Sequence, residues 1–135
     1  MNPELLRNET CIDMNSNVCN FKYLSSIVNN KNHLKLEIIN VFLKQVPEDL
    51  ENISQAITNI DYGTIERYSH TMISSMLTMG ISLLNPILLE MEELGKAGTD
   101  LEKINALYLQ VELICQQAFK EIENERLSCL QSQII

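Results

Sequence analysis

The sequence predicts an all-α fold, an antiparallel up-and-down four-helix bundle with one additional short N-terminal helix. Three observations point there. Apolar residues recur at alternating steps of three and four, the packing period of such a bundle. Only four Gly and three Pro occur in 135 residues, too few for the turns of a β-sandwich. No stretch alternates apolar and polar residues as a half-buried strand would. At this length one domain can enclose its own core without disulfides or metal.

Residues 1–18 carry Asn, Glu, Ser and Asp without a sustained period and read as a tail or linker remnant. The bundle is expected over 19–127, followed by a C-terminal tail, 128–135. Residues 20–28 suggest a short helix with Phe21, Leu24 and Val28 on one side, closed by a turn at Asn29–Asn32. A longer helix follows with Leu36, Ile39, Phe42, Leu43, Val46, Leu50, Ile53, Ile57 and Ile60 on one face. Pro47 removes one backbone donor in its middle. The apolar register continues across it, which predicts one kinked helix rather than two.

Asp61 is placed to cap the next helix, with Ile60 and Ile65 at the two positions of a hydrophobic staple. Its inward stripe reads Ile65, Ser69, Met72, Met76, Met79, and Gly80 is a natural stop. Asn85-Pro86 resembles an N-cap followed by Pro at the first helical position. Ile87, Leu88, Met91 and Leu94 form that helix's apolar face, and Gly95 is expected to close it. Thr99-Asp100-Leu101-Glu102 has the spacing of a capping box. It opens a last helix with Ile104, Leu107, Val111, Ile114, Ala118 and Ile122 inward, running to about Leu127. Connections this short make successive helices antiparallel neighbours.

Charge and composition exclude several function classes. A net charge of −8 lacks the basic footprint that phosphate backbones and anionic membrane surfaces attract, so no nucleic-acid partner is expected. Tyr68–Leu89 has no charged residue, yet Ser69, His70, Ser74, Ser75, Thr78, Asn85 and Pro86 interrupt it, so no membrane insertion is expected. Met1-Asn2-Pro3-Glu4 lacks the basic start and apolar core of a secretory signal, and a cytoplasmic location is expected. Cys11, Cys19, Cys115 and Cys129 form no CxxC pair and no zinc spacing, and read as reduced thiols with Cys115 in the core. There is no Gly-rich phosphate loop, GxSxG or HExxH. A di-iron bundle needs Glu-x-x-His pairs, whereas Glu66 precedes His70 by four residues. No metal site is expected.

His33 reads as a surface residue near a helix start, and the cluster Glu121, Glu123 and Glu125 as a solvated face. Met72, Met76, Met79 and Met91 read as core fillers. His70 falls off the inward stripe. Glu66, Arg67, Ile73 and Ser74 lie one turn from it, and Leu77 one turn further. It should face solvent beside an uncharged patch of Ile73, Ser74 and Leu77, the kind of surface that docks a partner.

The run Ser69-His70-Thr71-Met72-Ile73-Ser74-Ser75-Met76-Leu77-Thr78-Met79-Gly80 resembles the signature of histidine-containing phosphotransfer (HPt) domains. Ser69, His70, Met72, Ser74, Ser75 and Gly80 fit that pattern. Phe42, Pro47, Leu50, Ala56 and Asp61 resemble the family's preceding helix, and Leu84, Leu88, Met91, Glu92 and Gly95 its following one. The resemblance spans about residues 19–127. It implies that His70 accepts a phosphoryl group on Nε2 from a receiver-domain aspartate and passes it to another receiver. Such a phosphocarrier has no independent catalysis and no cofactor of its own; Mg²⁺ would sit on the partner. The implied partners are response-regulator receiver domains or a hybrid sensor histidine kinase, docking on Arg67, Ile73, Ser74 and Leu77. One departure stands out: Ile73 occupies the position where the family usually has lysine. Arg67 is the candidate substitute cation, and Glu66 would repel a phosphate. The alternative is a divergent HPt module that binds a receiver or kinase without covalent chemistry.

Overall fold

The computed structural model describes residues 17–134. Five helices occur among them: α1 (Lys22–Ile27), α2 (Asn32–Thr58), α3 (Tyr62–Thr78), α4 (Leu84–Ala97) and α5 (Leu101–Ile134). The last four form the antiparallel bundle, in which α3 packs on α4, α2 on α5 and α3, and α4 on α5. Leu24 of helix α1 and Val28 at its C-cap are buried in the same core.

The core follows the apolar steps of each helix. Ile39, Val46 and Ile53 from α2 meet Ile65, Met72 and Met76 from α3, Leu88 and Met91 from α4, and Ile104, Val111, Ala118 and Ile122 from α5. Burying each large side chain here contributes about 1.5–3 kcal/mol. Helix α2 runs unbroken through Pro47, which is exposed. Asp49 on α2 was not expected inside. It is buried, one oxygen accepts from the Gln45 amide at 3.0 Å, and burial pushes its carboxyl up from the ordinary value.

Several helix ends differ from the sequence expectation. Asp61 does cap α3, its carboxylate accepting from the Thr64 N–H at 3.2 Å and hydroxyl at 2.6 Å. Ile60, however, is 59% exposed and does not staple onto Ile65; it takes a left-handed turn (φ 54°) that closes α2. The Asp61 N–H donates back to the Ala56 carbonyl at 2.8 Å across that turn. Helix α4 starts one residue before Asn85, so Pro86 sits within the first turn rather than at its first position. That placement costs nothing because first-turn N–H groups have no intrahelical acceptor. Gly95 does not end α4. The helix continues to Ala97 and Gly98 (φ 66°) terminates it. Asp100, not Thr99, caps α5, accepting from the Lys103 N–H at 3.2 Å.

The described residues extend past both expected edges of the bundle. Residues 1–16 lie outside the described residues, as does Cys11, but Val18 is buried and belongs to the bundle. Helix α5 passes Leu127 and reaches Ile134, burying Cys129. The acidic cluster near its end is not simply solvated. Glu121 accepts from the Val18 N–H at 2.9 Å and the Cys19 N–H at 2.8 Å, clasping the N-terminal segment to α5. Glu125 pairs with Lys35 of α2 at 2.7 Å, and Glu123 with Arg126 at 2.6 Å. Cys19, Cys115 and Cys129 are free thiols.

Candidate functional site

The site begins with the one-sided burial of α3. Ile65, Ser69, Met72 and Met76 are fully buried, so the neighbouring residues are forced to its outer side. His70 is one of them, with 73% of its side chain exposed. Helix α4 runs antiparallel beside it. Gly95 is the reason the two helices come so close: a Cβ there would stand 2.9 Å from the Glu66 backbone nitrogen and 3.0 Å from the Tyr62 carbonyl oxygen. Only glycine permits that approach.

Three residues before Gly95, Glu92 reaches across to His70, its Oε2 3.1 Å from Nδ1. The carboxylate is 22% exposed. A carboxylate only accepts, so this contact places the ring hydrogen on Nδ1. In the neutral ring, Nε2 then carries the free lone pair, on a side chain that is mostly exposed. The arrangement offers one nucleophilic nitrogen whose tautomer is set by a carboxylate on the next helix.

The other residues proposed from sequence divide into two groups. Ser74 and Leu77 are exposed, Leu77 by 52%, on the outer side of α3 that His70 shares. Ile73 is half-buried and packs against the core, contributing an edge rather than a free surface. Arg67 is exposed, but its guanidinium lies over the Tyr68 ring, 5.4 Å from the centroid. Both line a polar groove of about 230 Å³ with Asn52 and Gln55 of α2, on the side away from α4.

Sequence reasoning named Glu92 only as part of a family pattern and missed its contact with His70. It also missed Leu89, 49% exposed on α4. The pairing of Gly95 with Glu66 and of Glu92 with His70 sets Leu89 level with Ile73. The antiparallel register was the available signal. His33 is exposed at the start of α2. Among the described residues no three His, Cys, Asp or Glu side chains group as a metal site, and no helix is long and apolar enough to cross a membrane.

Fold and site together define a class: a helical bundle that carries an exposed imidazole, paired with a carboxylate of the neighbouring helix, on its outer surface. Comparison with known proteins makes the class specific. The family model for the Hpt domain matches residues 37–126, well over half of the chain, and the chain belongs to that family. Its fold is similar to that of the HPT domain from an Hpt sensor hybrid histidine kinase from Shewanella, at 21% identity and a TM-score of 0.63, over 85% of this chain and 95% of that one. No curated protein sequence matches. Membership makes the chain a phosphotransfer module of the phosphorelay type.

Proposed function

We propose that this chain is a phosphorelay intermediate that accepts a phosphoryl group on His70 Nε2 from a receiver-domain aspartate and passes it to another receiver. The exposed imidazole, tied through Nδ1 to Glu92, carries this reading. In the forward step the Nε2 lone pair attacks phosphorus, a P–N bond forms and the P–O bond to the aspartate breaks. The hydrogen on Nδ1 stays in place, and the positive charge gained by the ring is opposed by the Glu92 carboxylate. Onward transfer reverses these bonds at a second aspartate and restores the neutral ring. No proton has to leave or arrive.

The chain provides the nucleophile and its orientation; acid–base groups, lysine and Mg²⁺ belong to the receiver. It therefore acts as a carrier without turnover or cofactor of its own, in the cytoplasm. The receiver docks over His70, Ser74 and Leu77, with Ile73 and Leu89 at the edge and Arg67 at the far rim. A hybrid sensor histidine kinase is the second class of partner. Ile73, apolar where a cation would steady a phosphate, favours a second reading: a module that binds a receiver without taking phosphate.

Incubation with phosphorylated receiver domains decides between them. Wild type should take label and His70→Gln should not. A wild type that binds a receiver yet stays unlabelled supports the non-covalent module and defeats the carrier reading.

A further inference from the structure

We propose that the outer face of α5 pairs two copies of this chain, antiparallel and centred at the level of Val111. The core takes one side of that helix, where Ile104, Val111, Ala118 and Ile122 are fully buried. The opposite side carries a stripe of its own: Glu102, Ala106, Leu109, Leu113, Gln116 and Lys120, at steps of four, three, four, three and four. All six are exposed, Leu109 by 57% and Leu113 by 43%. This is the spacing of a coiled-coil seam. Helices α2 and α4 lie against the inner side of α5, and the stripe stays uncovered among the described residues. Single surface leucines are ordinary, but two on successive turns beside an alanine make a continuous apolar ridge.

The order of the stripe identifies the occupant. Its steps are unchanged when read backwards, so it matches a reversed copy of itself without an offset. In that register Leu109 of one copy meets Leu113 of the other, Ala106 meets Gln116, and Glu102 meets Lys120. Each pairing occurs twice, as an isologous two-fold contact requires. Four leucines then sit at the centre and an ion pair closes each end. A parallel register would set Glu102 against Glu102 and Lys120 against Lys120, and like charges face to face oppose association. Neither residue takes part in the ion pairs formed among the described residues. The stripe covers about 27 Å by 10 Å, a footprint well below the about 800 Å² per partner of a standard interface. The dimer is therefore weak and forms only at high concentration. Helix α3 packs on α2 and α4, which puts α5 diagonally across the bundle from it, so paired copies keep both His70 side chains on their outer sides.

Sedimentation equilibrium of the full chain from about 10 µM to about 1 mM reads the association, a range chosen because even standard-sized interfaces extend to micromolar Kd. Wild type should pass from monomer to dimer, and the double variant Leu109→Gln, Leu113→Gln should stay monomeric. Glu102→Lys and Lys120→Glu, each alone, set like charges at both ends and should weaken the dimer about fivefold or more. Made together they restore an opposite pair at each end and should return the dimerisation constant to within about twofold of wild type. The two single variants move the net charge in opposite directions, so a general charge effect would not weaken both. Their losses should shrink at about 1 M salt, and far-UV circular dichroism confirms that every variant is folded. Wild type still monomeric at the highest concentration, a dimer that survives the double leucine substitution, or charge reversals that do not rescue each other overturns the proposal. A monomeric wild type that needs Leu109 and Leu113 to bind a phosphorylated receiver assigns this face to the receiver and overturns it as well.

Discussion

Gly95→Ala tests the contact that builds the site. It adds a methyl where α3 and α4 approach most closely, 2.9 Å from the Glu66 nitrogen, 3.0 Å from the Tyr62 oxygen and 3.2 Å from the Glu66 Cα. All three are backbone atoms, so no side-chain rotation relieves the clash. Restoring ordinary contact requires the helices to part by about half an ångström. Overpacking of this kind costs about 1–3 kcal/mol, and alanine's better helix propensity returns about 1 kcal/mol. A net loss near 1 kcal/mol should lower Tm by about 3 °C in a chain of this size. The same displacement stretches the 3.1 Å contact between Glu92 and His70 toward the limit of a useful hydrogen bond. Gly63→Ala is the matched control: there the new methyl meets only the Asp61 Oδ1, at 3.8 Å, and Tm should hold or rise slightly. Thermal unfolding followed by far-UV circular dichroism reads both variants, and ¹⁵N shifts of the His70 ring report the hydrogen bond. A Gly95→Ala protein as stable as wild type, with an unchanged ring, would refute the reasoning.

Two further predictions concern stability. Ile60 is a β-branched residue held at φ 54°, a conformation that costs an L residue about 1–2 kcal/mol. Since its side chain is mostly exposed, Ile60→Gly should raise the urea midpoint, and a fall would show that Ile60 is held by packing instead. Burial pushes the Glu121 carboxyl up, but the N–H groups of Val18 and Cys19 and the Gln117 amide outweigh it and leave it below the ordinary value. A carboxyl depressed in the folded state stabilises above its unfolded value and loses that contribution as pH falls through its folded one. Glu121→Gln should therefore cost about 1 kcal/mol at pH 7 and little below pH ~3, where wild type is protonated too; a pH-independent difference in urea unfolding would count against the clasp.

How much of this was legible in the sequence depends on the range of the contacts. The inward stripe Ile65, Ser69, Met72, Met76, Met79 and the outward turn of His70 follow from helical period alone, and all five stripe residues are buried. Asp61 as cap is equally local. The misses are long-range or involve competing local solutions. Glu92 reaches His70 across 22 residues, and Glu121 reaches Val18 across 103. No spacing rule connects such pairs until helix register is known. Gly95 looked like a terminator because glycine commonly ends helices, but here its missing side chain serves packing, and Gly98 three residues later ends the helix. Thr99 and Asp100 are both good caps, and the left-handed turn at Asp100 (φ 60°) decides between them. The helical stripe alone leaves Ile73 outside, whereas in the folded bundle it is half-buried against the core.

The central claim is that Nε2 of His70 is the atom that carries the phosphoryl group. Its most direct measurement is mass-spectrometric mapping of the chain after reaction with a phosphorylated receiver, under alkaline conditions that preserve phosphohistidine. The account predicts a single acid-labile phosphoryl group on the peptide containing His70, absent from His70→Gln and still present in His33→Gln. Phosphate found on His33, or on a serine, threonine or aspartate with His70 unmodified, would contradict it.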